Sequence, residues 1–304
     1  MTTRITESMV RRGVLADLQA IDARLRLTQR RLSTGKQLTR PSDNPFAANR
    51  ALQLRSELES IRQFSRTVNE ASGWTTATEA ALSRITDIVQ RARELLVQGG
   101  NDANGQVARE AIAAEIDALT ESLKQEANAT YGGRYILAGT ATETAPYAVG
   151  GADAFAGNGA TVARTIGDGV SLAINVIGSD LLGSGQAAAD NRLLHVMRDI
   201  AEHLRGGTPA DFEALRGTDL ARLDANLDEL TRTRAVVGAT ANRLEIAATR
   251  LAELEESSLR LLSEVEDADM AATMVEFTSQ RASYEAALKA GANIVQLSLL
   301  DFLR

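Results

Sequence analysis

Val14, Leu18, Ile21, Leu25 and Leu32 recur at alternating steps of four and three, with Thr28 as the one polar residue on the seam. That spacing makes a coiled-coil stripe, and a lone helix carrying it would leave its apolar side in water. The other end of the chain repeats the pattern. Leu244, Ala247, Leu251, Leu254, Ser258, Leu261, Val265, Ala268, Ala272 and Val275 alternate steps of three and four with no evident break. Tyr284, Leu288, Gly291, Val295, Leu299 and Phe302 then carry an apolar face to the end. Each terminal segment therefore needs a mate, either the other terminus or a copy from a neighbouring molecule. Val14, Leu18, Ile21 and Leu25 are expected to pack against Leu288, Val295, Leu299 and Phe302.

The first helix should stop near Ser33-Thr34-Gly35, where a glycine follows the last apolar position. In Arg40-Pro41-Ser42-Asp43-Asn44-Pro45 each proline pushes its predecessor out of helical geometry, so this stretch reads as an extended or turned connector. Asn44 can cap the next helix and Pro45 can open it. Phe46 to Val68 forms one helical stretch, and Trp74 begins another whose stripe runs Thr78, Leu82, Ile85, Val89, Ala92 and Leu96. With a further helix around Ile112, Ile116, Leu119 and Leu123, four helical segments precede residue 130. Residues 131–189 hold more than half of the 23 glycines, with short β-prone runs at 135–137, 161–163 and 170–177. Helices resume with Leu194, Met197, Ile200 and Leu204, and a helix over 211–237 leads into the final stripe.

The predicted fold is mainly α with a small β-rich insertion, a long coiled-coil-like helical bundle pairing the N- and C-terminal segments. Its expected divisions are a terminal coiled coil (1–40 with 265–304), a helical bundle (41–130 with 190–264) and a β-rich domain (131–189).

Chemistry is harder to find. A formal charge of −7 argues against nucleic acid as the main partner, although residues 1–67 carry 13 basic and 6 acidic side chains. The absence of cysteine removes thiol nucleophiles, thiolate metal sites and disulfides together. No apolar run approaches the ~18 residues of a membrane-spanning helix, so no membrane insertion is expected. His195 and His203, the two histidines, lie eight apart on a predicted helix and read as solvated residues, since no i,i+4 histidine pair accompanies them. Glu264, Glu266, Asp267 and Asp269 lack the glycine and terminal glutamate of a calcium loop and read as a solvated helix face. Gly157-Asn158-Gly159 reads as a turn. No catalytic, cofactor or metal residue is assigned.

Ser33 to Ala48, with its Pro-Ser-Asp-x-Pro core at Pro41–Pro45, resembles the flagellin and hook-associated protein 3 superfamily. So do Tyr131-Gly132-Gly133-Arg134-Tyr135-Ile136-Leu137-Ala138-Gly139-Thr140 and the tail Gln296–Leu303. The resemblance spans about residues 1–140 and 220–304 and favours the hook-associated side over filament flagellin. Asn44 departs from it, since an acid is common there. The likeness implies an extracellular ring of subunits between a first hook-side junction protein and flagellin. It also implies export, unfolded and without signal cleavage, through the flagellar type III apparatus, with a cytoplasmic chaperone on the carboxyl-terminal segment. Filament flagellin, a receptor signalling bundle and an enzyme on a helical scaffold are the rival readings.

Overall fold

In a computed structural model of the chain, residues 7–101 and 104–302 are described, together with their side chains except those of residues 7, 8, 10, 11 and 293–302. The order is α1 (Glu7–Thr34), α2 (Pro45–Gly99), α3 (Gln106–Ala127), β1 (Thr130–Tyr131), β2 (Arg134–Tyr135), β3 (Ala163–Gly167) and β4 (Val170–Ala173). Then come α4 (Gly178–Leu181), a 3-10 turn (Gln186–Ala188), α5 (Leu193–Gly206), α6 (Pro209–Ala214), a π-turn (Leu215–Asp219), α7 (Leu220–Glu266) and α8 (Met270–Phe302). The fold is the expected helical one, with two small antiparallel sheets, β1–β2 and β3–β4.

The chain forms two compact units, residues 1–60 with 254–304, and residues 61–253. In the larger unit α2, α3, α5 and α7 share one apolar core. Leu82, Ile85, Ile116, Met197 and Leu223 are among its most deeply buried members, and Trp74 is buried with them. Stripes spaced for a helix put these residues on one side of each element, and their burial drives the packing. Within the smaller unit α1 packs along α8.

Three boundaries differ from those the sequence suggests. Gly73 does not divide α2, which runs unbroken from Pro45 to Gly99, so among the described residues three helices rather than four precede residue 130. One interior glycine costs only about 1 kcal/mol, and a Cβ there would overlap the Tyr131 ring, which stacks edge-on against Trp74. Residues 211–237 lie within one longer helical run, Pro209 to Glu266, that carries a π-bulge. Thr208 and Asp211 close a capping box on α6, the backbone widens into the π-turn, and α7 then runs on to Glu266. Finally, the C-terminal stripe breaks at Asp267–Asp269, between α7 and α8. The backbone there turns to another partner: Ala268 N–H donates to the Gly35 carbonyl at 2.9 Å, and Gln37 N–H donates to the Glu266 carbonyl at 2.7 Å. Asp269 restarts the helix by accepting Ala271 N–H at 2.9 Å and Ala272 N–H at 3.0 Å.

The β-rich stretch is fastened to the larger unit by polar side chains. Asn128, at the end of α3, bonds both backbone groups of Tyr147, and the buried Tyr147 hydroxyl donates to the Gly183 carbonyl at 2.7 Å. Lys124 is fully buried, and its ammonium meets Glu121 and Asp153 at 2.9 Å each and the Gly151 carbonyl at 3.0 Å. Arg198 of α5 closes the network on Asp153, Asp117 and Glu121. Gly139 has a φ of 69° and sits where a Cβ would overlap the Asn158 carbonyl oxygen. Gly139→Ala should therefore cost roughly 1–3 kcal/mol, read as a lower urea midpoint with an unchanged slope.

Candidate assembly interface

The terminal pair begins with small-residue packing. Gly291 is buried, and a Cβ built on it would stand 3.2 Å from Val14 Cγ1 and 3.9 Å from Leu18 Cδ1, so the lack of a side chain lets α1 approach α8 closely. Further along, Thr28 is 1 % exposed and its hydroxyl lies 2.8 Å from Gln280 Oε1, which explains a polar residue on an apolar seam. Val14, Leu18, Ile21 and Leu25 are only half-buried, and Leu288 remains 45 % exposed. The side chains of Val295, Leu299 and Phe302 lie outside the described residues. Leu15, Met274 and Val275 are also exposed on these two helices. One copy of the pair therefore leaves much of its apolar surface in water.

The connector is built by its own polar groups. Asp43 accepts the Thr39 hydroxyl at 2.9 Å and the Arg40 N–H at 2.9 Å. The Thr39 hydroxyl leads these bonds in holding the Asp43 carboxyl below its ordinary range. Asn44 Oδ1 accepts Ala47 N–H at 3.1 Å, capping α2, and Pro45 is its first residue. Pro41 and Ser42 complete an exposed turn. Beside it Phe46 stands 84 % exposed.

A pin secures the two chain breaks against each other. Gly35 takes a φ of 68°, which ends α1 and turns Lys36 toward Asp267 across an antiparallel bridge. Glu266 is buried, with Lys36 Nζ at 2.5 Å and Arg55 Nη2 at 2.7 Å. Burial alone would raise the Glu266 carboxyl, but the Lys36 and Arg55 bonds outweigh it and hold it below its ordinary range. The acidic cluster is thus no solvated helix face: Glu266 is the buried centre of a pin and Asp269 is a cap. The pin was missed because heptad spacing reports side-chain pattern, whereas this break is made by backbone groups finding partners more than 200 residues away. Asp269 three residues before Ala272, within Asp-Ala-Asp, is the signal that could have marked the restart.

Glu266→Gln keeps the shape and removes the charge, so it should destabilise the smaller unit by about 1–2 kcal/mol. The cost stays modest because Lys36 and Arg55 are half in solvent and rehydrate. Amide exchange at Gln37 and Ala268 would read the loosening. The native pin weakens as pH falls through the lowered carboxyl value, and the Gln variant loses that dependence.

Both histidines also differ from the solvated reading. His195 Nε2 lies 3.2 Å from Asp199, and His203 Nδ1 lies 2.6 Å from the buried Asp219. Among the described residues no cluster of histidine and carboxylate groups has the arrangement of a metal site. No helix among them is long and apolar enough to cross a membrane.

Residues 5–142 match the family described as the bacterial flagellin N-terminal helical region, and residues 220–303 match the bacterial flagellin C-terminal helical region. The intervening residues, which include β3, β4 and α5, lie outside both. Flagellar hook-associated protein 3 of Escherichia coli is 30% identical over 285 residues, covering 89% of this chain and 90% of that protein. Flagellin of Bacillus subtilis is 27% identical over 316 residues, covering 99% and 100%. A solved flagellar junction protein from Legionella pneumophila shares the fold with a TM-score of 0.56 at 15% identity, covering 71% of this chain and 99% of that one. The paired termini and the capped connector fall inside the matched regions, and the chain belongs to the flagellin and hook-associated protein 3 family.

Proposed function

We propose that the chain is a structural subunit of the bacterial flagellum that joins a hook-side junction protein to the flagellin filament. The observation that carries this reading is the 30% identity to a hook-associated protein 3 across nine-tenths of that protein. The half-covered apolar stripes of α1 and α8 support it, because neighbouring copies in a ring would supply the missing surface. In this reading segments 1–40 and 265–304 form an inner tube, 41–130 and 190–264 a surrounding bundle, and 131–189 the outward face. Pro41, Ser42, Asp43, Asn44 and Pro45 act as a stiff connector between inner and middle layers. Its partners are further copies of itself, the first junction protein, flagellin and a cytoplasmic export chaperone.

The subunit works outside the cell, after type III export in an unfolded form without signal cleavage. It performs no catalysis. Terminal segments unpaired during export would fold only when neighbours arrive.

Filament flagellin is the second reading, favoured by the end-to-end match to the Bacillus subtilis protein. Deleting the gene in its host separates them. Intact hooks with flagellin released into the medium support the junction role. Hooks retained with no filament protein in cells or medium would make this chain the filament subunit.

A further inference from the structure

The two histidines of the chain both project from α5 into one charged network, yet they are wired in opposite senses. At His195, Nδ1 receives the Asn191 N–H at 3.1 Å and faces Arg222 Nη2 at 3.4 Å, while Nε2 lies 3.2 Å from Asp199 Oδ2. Two donors at Nδ1 and a carboxylate at Nε2 place the single proton on Nε2. At His203 the carboxylate of Asp219, 1 % exposed, stands 2.6 Å from Nδ1, so the proton sits on Nδ1.

Adding a proton does opposite things to them. On His195 the only free position is Nδ1. Protonation there turns an acceptor into a donor, orphans the Asn191 N–H and sets a cation against the Arg222 guanidinium. On His203 the second proton goes to Nε2 and leaves the bond to Asp219 in place, now assisted by charge.

What His195 holds is the strap 183–192, which brings the chain from the β-rich stretch into α5. Ala189 and Asn191 have φ values of 50° and 56°, in the left-handed region, which costs an alanine about 1 kcal/mol or more and an asparagine less. The surrounding structure must hold them there. Asp190 accepts Ser184 N–H at 2.8 Å and Arg192 N–H at 3.0 Å, and Asn226 Nδ2 of α7 donates to the Asn191 carbonyl at 2.9 Å.

The charged groups around the pair are few. Asp199 and Glu202 come from α5 itself, both reached by Gln186 of the 3-10 turn. Arg222 of α7 bridges Asp199 and Asp219, and Asp211 of α6 lies near His203. Asp190 belongs to the strap. Asp117 and Glu121 of α3 are engaged with Arg198 and Arg205.

We infer that His195 is a proton-operated latch: neutral, it fastens the Asn191 end of the strap to α5, and protonated, it lets that end go while His203–Asp219 keeps α5 on the π-turn. The joint between the β-rich stretch and α5 thereby responds to acidity.

The test uses the full chain. Ring-nitrogen NMR near neutral pH should show His195 with its proton on Nε2 and His203 with its proton on Nδ1. Amide exchange over 184–192, corrected for intrinsic rates, should lose protection about tenfold or more between about pH 8 and pH 5, while α5 and α7 hold theirs. In His195→Gln the protection of the strap, corrected in the same way, should be independent of pH over that range, and His203→Gln should keep the pH response of the strap. A proton on Nδ1 of His195, flat protection in the native chain, or a pH response surviving in His195→Gln would each overturn the latch. The His195 tautomer and the pH response of the native strap test the latch even if a variant fails to fold.

Discussion

Asp153→Ala should lower the stability of the larger unit by about 3 kcal/mol. Asp153 is the carboxylate shared by the buried Lys124 ammonium and by Arg198, so its loss leaves a cation inside the protein short of a counter-charge. The cost sits at the low end of what a broken buried pair brings, because Glu121 stays 2.9 Å from Lys124. Adding Lys124→Met should restore part of the loss, since the cation itself is then gone. Urea unfolding of the single and double variants measures both effects, and a double variant no better than the single would sink this account.

The same residue sets an acid response. Burial alone would raise the Asp153 carboxyl, but Arg198 and Lys124 outweigh it and hold it below its ordinary range, as Gly150 N–H, Lys124 and Arg198 do for Glu121. A carboxyl lowered on folding stabilises the native state above its unfolded value, near pH 4. That contribution is lost as pH falls through the lower folded value. Native stability should therefore drop as the pH falls below about 4, and the Asp153→Ala slope there should be shallower.

Leu18→Asp should abolish incorporation into the flagellum while residues 61–253 stay folded. Leu18 faces the Gly291 notch on α8, where a carboxylate would meet apolar surface and, Leu18 being half-buried, lose about half of the ~1.5–3 kcal/mol of a fully buried leucine as well as part of its own hydration. Any neighbour completing the stripe would meet the same charge. In a gene-deletion host carrying the variant, the expected phenotype is hooks without filaments and flagellin in the medium. Near-normal filaments would show that the α1 stripe has no part in assembly.

The sequence carried much of this through periodicity. The stripe from Val14 to Leu32 foretold that α1 needs a mate, and Gly35, Asn44 and Pro45 marked where helices stop and start. What periodicity could not carry was partnership across the chain. Lys124 reads as one more polar residue on α3 until Asp153 folds over it. His195 and His203 read as solvated because Arg222 and Asp219 lie beyond a loop and another helix, although Asp199 stands only four residues from His195 on α5. The break at Asp267 was hidden because Val265, Ala268 and Ala272 keep the heptad step while the backbone between them leaves the helix. The half-exposed Leu288 shows the converse: the spacing identified an apolar face, and a single chain does not fill it.

The pin at Gly35–Lys36 and Glu266–Ala268 has a mechanical consequence. Both strands of the smaller unit are interrupted at one level and tied there by short antiparallel bonds, Gln37 N–H to the Glu266 carbonyl and Ala268 N–H to the Gly35 carbonyl. Force drawing one strand lengthwise past the other loads these bonds in shear, together with both ion pairs of Glu266, so none can open alone. Force prying the strands apart meets the same bonds end-on. The pin therefore works as a rivet, resisting sliding at the height where both helix lines are interrupted.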